Sequence, residues 1–388
     1  MNPITHNLEV WSRTAGTECV ELTLEDSFIP KPIDDEVVIE VHAAPINPFD
    51  LRMMIGPADS ATAVAVGTRE RLVTRLRIPD APGQTVRSSS QFANRLGAEG
   101  CGRVVDAGGA PAARALLGQS VAVWAGGMYS RYCKVRASDC LPLPASTQAA
   151  EGAGALINPL TALAMVETMR AEGYTALLNS AAGSNLGRIL RRLCSAEGIE
   201  LINVVRSEVQ AQAMRSEGAR HVCVSTAAEF VEELTACLRA AGPTLGFDAI
   251  GGGSLAGTLI AAMDAAKAHD ALDAGKSERP SKVYIYGNLD SSPSMITRGY
   301  APGWSIGGWV LPGVLKRIGA ERVAQLKRRI VADLTTTFAA QYARTVSLKE
   351  LIAPQTLAAC WHRSSGAKYL VDPRLERKPL LIETETGS

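Results

Sequence analysis

Little in this chain marks a specialised habitat. Aromatic side chains make up 5% of its 388 residues, histidine occurs five times, and 40 Lys plus Arg nearly balance 39 Asp plus Glu. The resulting net charge of +1 gives no field that would draw nucleic acid or an anionic membrane surface. Long apolar runs are missing as well. The longest, Gly152 to Val166, is broken by Asn158 and Pro159, so no membrane partner is expected. The opening MNPITHNLEV has no basic stretch followed by an apolar one, which argues against a secretory signal and for a reducing, cytoplasmic setting. The eight cysteines are scattered and form no C-x-x-C pair. Neither a zinc ribbon nor a disulfide framework is expected, and most should be small buried hydrophobes.

What the chain does have is length for two domains and a change of rhythm along it. The first 150 residues read as short strands between Gly and Pro turns, among them DDEVVIEVHAAPI, GRVVDAGGA, QSVAVWAGG and YSRYCKVRA, which suggests a small barrel or sandwich. From about Asn158, strands alternate with helices: ALLNSA, then NLGRILRRLCSAEG, then IELINVV, and so on to KVYIYGN. Short Val- and Ile-rich strands in that alternation predict a doubly wound parallel sheet. WSIGGWVLP could add a strand, GVLKRIGAERVAQLKRRIVADL reads as one helix, and Ser347 to Leu381 reads as β-like. Two stretches look inserted. Residues 57–96 carry six Arg against three Asp or Glu, either solvated surface or a lid, and residues 268–281 are polar and loop-like.

The stretch LLNSAAGSNLGRIL, 177–190, runs from an apolar strand through a small-residue turn into a helix. A dinucleotide loop needs a tight turn, close approach of backbone to the pyrophosphate, and close packing of helix on strand. Ala181, Ser184 and Gly187 stand at i, i+3 and i+6 with Gly183 between them, so small side chains lie where bulk would block phosphates. The N–H groups of Asn185, Leu186 and Gly187 would open the helix as an anion site. At the end of the next strand, where an NAD site usually holds a carboxylate, the chain has Arg206. A guanidinium pairs with a 2′-phosphate that a carboxylate would repel. Such a bond contributes about 1.5–3 kcal/mol, roughly a 10- to 150-fold preference. The expected cofactor is NADPH (NADP+), with a solvated surface arginine as the alternative reading of Arg206.

Four further stretches, AAPINPFDLRMMIG (43–56), LGAEGCGRVV (96–105), ALINPLTALAMVE (155–167) and SSGAKYLV (364–371), complete a pattern with the loop and NVVR. Together they resemble the medium-chain dehydrogenase/reductase superfamily, and most closely its zinc-free quinone oxidoreductase and enoyl thioester reductase branch. The resemblance implies an α/β fold in which a GroES-like β-barrel catalytic domain, residues 1–157 and 341–388, is wrapped round a Rossmann domain, residues 158–340, with the ligands in the cleft. It also implies a homodimer joined through residues 304–312. Zinc enzymes of the superfamily carry ligands where this chain has Asn47, Ala98 and, nearby, Asn158, so no metal is expected. Glu99 would support a turn.

Without a metal, the remaining chemistry is hydride delivery to a conjugated acceptor, with hydrogen-bond donors placed where the oxyanion develops. The resemblance puts Asn47 beside the nicotinamide and Thr161 on its amide. Gly251, Gly287 and Asn288 would contact the cofactor, the last two at the nicotinamide ribose. Lys368 would lie near the cleft, or else be a surface lysine. Enoyl thioester reductases of the branch place a Tyr shortly after the NPxD segment, where this chain has RMMIGPADSATA. Tyr129 is the alternative proton donor, or a core aromatic. Quinones need no such donor, since the hydroquinone anion can take its proton from water. The expected activity is therefore zinc-independent NADPH-dependent reduction of a quinone or α,β-unsaturated carbonyl. Enoyl thioester reduction and a non-catalytic NADPH-binding role are the alternatives.

Overall fold

The computed structural model describes residues 6–68, 72–79, 96–270, 279–296, 303–361 and 368–376. The chain divides into two compact units, one formed by the portion up to Gly154 with the portion from Tyr342 onward, the other by Ala155–Gln341.

In the second unit the short apolar segments do what their composition requires. Ala176–Asn179 and Thr244–Asp248 are buried at every position, as strands covered on both faces must be. Six parallel strands run across the sheet in the order His221–Val224, Glu200–Val205, Ala176–Asn179, Thr244–Asp248, Ser281–Ile285 and Trp304–Gly308. In chain order this is 3-2-1-4-5-6, the Rossmann arrangement, and the order reverses between Ala176–Asn179 and Thr244–Asp248. Connecting helices include Asn185–Glu197, Glu208–Ser216, Phe230–Ala241 and Leu255–Asp270. The segment 313–334, read above as one helix, is two, Leu311–Ile318 and Ala320–Ala332. They are broken at Gly319, whose φ of 84° belongs to no helix.

The first unit is mainly antiparallel. Glu36–Pro45, Glu99–Ala107, Ser120–Trp124 and Cys140–Pro142 follow one another in a sheet, and Tyr132–Arg136 also pairs with Glu36–Pro45. Lys368–Val371 joins Glu36–Pro45 from the other side and carries Tyr342–Val346 beyond it. A hairpin of Asn7–Ala15 and Cys19–Ser27 forms a second sheet. The two sheets share a core containing Val10, Leu22, Val37, Ile39 and Tyr129, and the Val10 N–H bonds to the Tyr129 carbonyl at 2.9 Å.

Within the stretch 57–96, Val64–Gly67 and Leu72–Arg77 form a hairpin that extends the N-terminal sheet. Its Arg75 Nε donates to Glu21 at 2.9 Å. Residues 80–95 lie outside the described residues, as do 271–278 of the other insert. The stretch from Ser347 corrects the expectation of a β-like segment: it is helical first, Leu348–Leu351 and Pro354–Trp361, and among its described residues only Lys368–Val371 is strand. Ser347 opens the first helix by accepting from the Glu350 N–H, while the Glu350 carboxylate accepts from the Ser347 N–H at 2.8 Å.

Candidate functional site

Ligands of open α/β sheets bind outside the carboxyl ends of the strands where the strand order reverses. In this chain that place is Asn179–Ser180 on one strand and Asp248–Ala249 on its neighbour. The buried Asp248 carboxylate holds the two ends together. It accepts from Ser180 Oγ at 2.6 Å and from the N–H groups of Ile250 and Gly251 at 2.9 and 3.1 Å. Ser180 Oγ accepts in turn from the Ala249 N–H at 2.7 Å. Tyr286 closes the group by donating to Asn179 Oδ1 at 3.0 Å, and burial with the nearby Asp248 charge pushes its hydroxyl pKa up. None of these four side chains was singled out from the sequence. The available signal was polar residues ending two mainly apolar strands, NS at 179–180 and D at 248.

The turn beyond Ser180 is as tight as its small residues suggest. Ala181 has a φ of 50°, a left-handed conformation that costs a residue with a Cβ about 1–2 kcal/mol. Ser184 caps the helix Asn185–Glu197, its Oγ accepting from the Gly187 N–H at 3.1 Å. The Gly187 amide is thus already used, a correction to the expectation that three amides face a ligand. The role left to Gly187 is packing: a Cβ there would stand 2.1 Å from the Ala182 carbonyl oxygen. Asn185 and Leu186 keep their N–H groups at the first turn, where no intrahelical acceptor exists. Beside them the Asn185 Nδ2 is shut from solvent with no acceptor among the described residues. Gly183 leaves the turn open, the nearest neighbour of a Cβ there being Gln210 at 3.6 Å. Helix dipole, two amides and an orphaned amide nitrogen are donors that fit a pyrophosphate.

Other residues expected at a cofactor take these positions. Arg206 directly follows Glu200–Val205 and is exposed. Gly251, at φ 82°, and Gly287 pack against each other: a Cβ on Gly251 would meet the Gly287 carbonyl oxygen at 2.7 Å, and one on Gly287 the Ala249 oxygen at 2.3 Å. Asn288 is exposed next to them. Thr161 lies in the helix Ile157–Ala171, buried, with its hydroxyl donating to the Ile157 carbonyl at 2.6 Å.

The first unit holds a buried polar cluster at strand ends. Asn47 precedes the helix Pro48–Ile55, and its Nδ2 donates to Glu99 Oε1 at 3.2 Å. Glu99, wholly buried at the start of Glu99–Ala107, lies 4.0 Å from the Lys368 ammonium. Lys368 is 7% exposed, so the surface-lysine reading is wrong. The strand pairing that brings Lys368 beside Tyr342 encloses it, with the ammonium 5.9 Å from the Tyr342 ring centroid. Asp50, also buried, accepts from the N–H groups of Asn47 at 2.9 Å and Ala98 at 2.8 Å. Its burial raises its pKa, opposed by those amides and the Lys368 charge. The Tyr342 hydroxyl has no hydrogen-bond partner among the described residues, and burial raises its pKa well above the usual value. Tyr129 is the core aromatic of the two readings: 1% exposed, it donates to the Pro45 carbonyl at 3.0 Å and lies against Gly97. A proton held in that bond, inside the core, is not placed for transfer to substrate. Among the described residues no three His, Cys, Asp or Glu side chains come together to hold a metal. No described helix is long and apolar enough to cross a membrane.

No family profile matches the sequence. A curated relative, the mitochondrial enoyl-[acyl-carrier-protein] reductase of Xenopus tropicalis, is 28% identical over 209 residues, 52% of this chain and 51% of that protein. The chain thus spans about half the length of the curated relative it matches. Among solved structures, a candidate NADPH:quinone reductase from Mesorhizobium loti superimposes with a TM-score of 0.72 at 24% identity, covering 96% of this chain and all of that one. A mycobacterial protein solved with NADPH gives 0.61 at 18% identity over 94% of this chain and all of its own. The fold is therefore the two-domain α/β fold of medium-chain dehydrogenases and reductases, as the sequence resemblance implied.

Proposed function

We propose that this chain is an NADPH-dependent oxidoreductase of the medium-chain dehydrogenase/reductase superfamily, working without zinc on a quinone or a small α,β-unsaturated carbonyl. The observation that carries the cofactor half is the turn at the sheet's reversal point, with Ala181 left-handed, Gly187 against Ala182 and the Asn185 amide unused. The solved relative with NADPH and the candidate NADPH:quinone reductase support the same cofactor.

On this reading the Asn185 and Leu186 amides and Asn185 Nδ2 hold the pyrophosphate, and Ala181, Gly183 and Ser184 keep the approach free of bulk. Arg206 pairs with the 2′-phosphate. Gly251, Gly287 and Asn288 line a ribose, and Thr161 meets the nicotinamide amide. The chemistry the cofactor supplies when bound is a hydride from nicotinamide C4. In the barrel unit, Asn47 and Lys368 supply a buried amide and a buried ammonium, donors suited to a developing oxyanion. Glu99 fixes both, which holds their geometry at the cost of part of the lysine's field.

The curated relative favours a second reading, reduction of an enoyl thioester. Among the described residues, the alternative proton donor Tyr129 is bonded to the Pro45 carbonyl at 3.0 Å, which favours the first reading. The test is NADPH oxidation with 1,4-benzoquinone, 9,10-phenanthrenequinone, methyl vinyl ketone and crotonyl-CoA, with a chelator present. Chelator-insensitive turnover that is fastest with a quinone or the ketone is the expected result. Preference for crotonyl-CoA would establish the second reading, and tight NADPH binding with no turnover would make the chain a binding protein.

A further inference from the structure

Away from the site described above, the sheet's outer strand His221–Val224 and the helix Phe230–Ala241 that packs on it bring two thiols together. Cys223 donates a hydrogen bond to Cys237, with the sulfurs 3.7 Å apart. Their surroundings differ. Cys223 is wholly buried among Ile202, Val204, Leu234 and Leu238, whereas Cys237 is partly buried at the edge of that cluster. From the arrangement of these two sulfurs we propose that Cys223 and Cys237 are a peroxide-reactive oxidation site, in which Cys237 is oxidised first and Cys223 closes an intramolecular disulfide.

The asymmetry assigns the roles. The Cys223 thiol and a hydrogen bond from His221 stabilise the Cys237 thiolate and lower its pKa, against burial and the Glu233 charge. Cys223, as donor and buried, moves the other way, with the Arg215 charge opposing. His221 itself lies 3.3 Å from Glu200. A thiolate that peroxide can reach is the nucleophile, and a protonated neighbour in contact is the resolving thiol. By contrast, burial pushes the Cys101 and Cys194 thiols up to about 12, which leaves them inert. A disulfide needs the sulfurs at about 2.05 Å, so from 3.7 Å about 1.7 Å of approach closes the bond.

The steps balance as follows. The Cys237 thiolate attacks a peroxide oxygen, an S–O bond forms and the O–O bond breaks. The departing oxygen takes a proton and leaves as water or an alcohol, and Cys237 becomes a sulfenic acid. Cys223 then loses its proton and attacks that sulfur. The S–S bond forms, the S–O bond breaks, and the hydroxide released takes up the proton as water. Two thiols and one peroxide give one disulfide, one water and one further water or alcohol. A dithiol reductant reverses the change.

The experiment treats the full chain with hydrogen peroxide in slight excess, blocks remaining thiols under denaturing conditions and maps the peptides. Free thiols are expected to fall from the eight of the sequence to six, with one Cys223–Cys237 bridge, and dithiothreitol should restore all eight. Cys237→Ser should retain its seven thiols. Cys223→Ser, which keeps a hydroxyl donor beside Cys237, should take up one dimedone per chain at Cys237. Retention of eight thiols in the wild type, a bridge between other cysteines, or dimedone at another position would overturn the proposal. The wild-type mapping decides even if a variant does not fold.

Discussion

A left-handed alanine and a glycine with no room for a methyl group are the residues that shape the turn at 180–187. Gly187→Ala would place a methyl carbon 2.1 Å from the Ala182 oxygen, so strand end and helix must part. The expected cost is about 1–3 kcal/mol, as for other overpacked sites, read from the urea midpoint. NADPH affinity should fall with it, and a midpoint equal to wild type would show that the turn is looser than described. Tyr342 tests the other unit. Its hydroxyl is shut away without a partner, so Tyr342→Phe should be neutral or stabilising by about 1 kcal/mol at pH 7. Because its folded pKa is raised, the protonated phenol favours the folded state fully below pH 10, and that contribution is lost as pH rises from the unfolded value through the folded one. Denaturation across pH 9–12 should show a flatter alkaline decline for Tyr342→Phe, and identical slopes would contradict the burial. The small residues of the turn were legible because sterics alone dictates them. The environment of Lys368 was not, because Glu99 and Tyr342 reach it only through strand pairing. Nor was that of Tyr129, whose acceptor lies 84 residues away in the chain.

At the scale of elements, the strands of the parallel sheet were readable from apolar runs ending in turns, and Trp304–Gly308 is indeed one of them. What misled was local pattern without tertiary context. The stretch from Ser347 reads as β-like, yet its described residues open with two helices, Leu348–Leu351 and Pro354–Trp361. Gly319 interrupts a stretch whose periodicity continues on either side. Trp304–Gly308 pairs with Ser281–Ile285 on one side and ends the sheet on the other among the described residues, with Trp304 39% and Val310 68% exposed. An exposed strand edge with apolar flanks is a template for pairing, and we propose that residues 304–312 of two copies meet there. Sedimentation equilibrium should give twice the 41.0 kDa chain mass, and a particle of one chain mass at micromolar concentration would refute the pairing.

For the molecule as a whole, the sequence told more through the order of its motifs than through any one of them. The portion from Tyr342 onward joins the N-terminal unit, which local periodicity alone could not reveal. A six-strand parallel order of 3-2-1-4-5-6 then places the turn at 180–187 where dinucleotides bind, and puts Arg206 after the neighbouring strand. If this unit is an NADPH site, equilibrium titration of wild type and Arg206→Ala with NADPH and with NADH will read it out. Wild type should prefer NADPH by about 10- to 150-fold, and the variant should lose that preference while keeping its NADH affinity. Equal affinities in the wild type, or a preference that survives in Arg206→Ala, would contradict it.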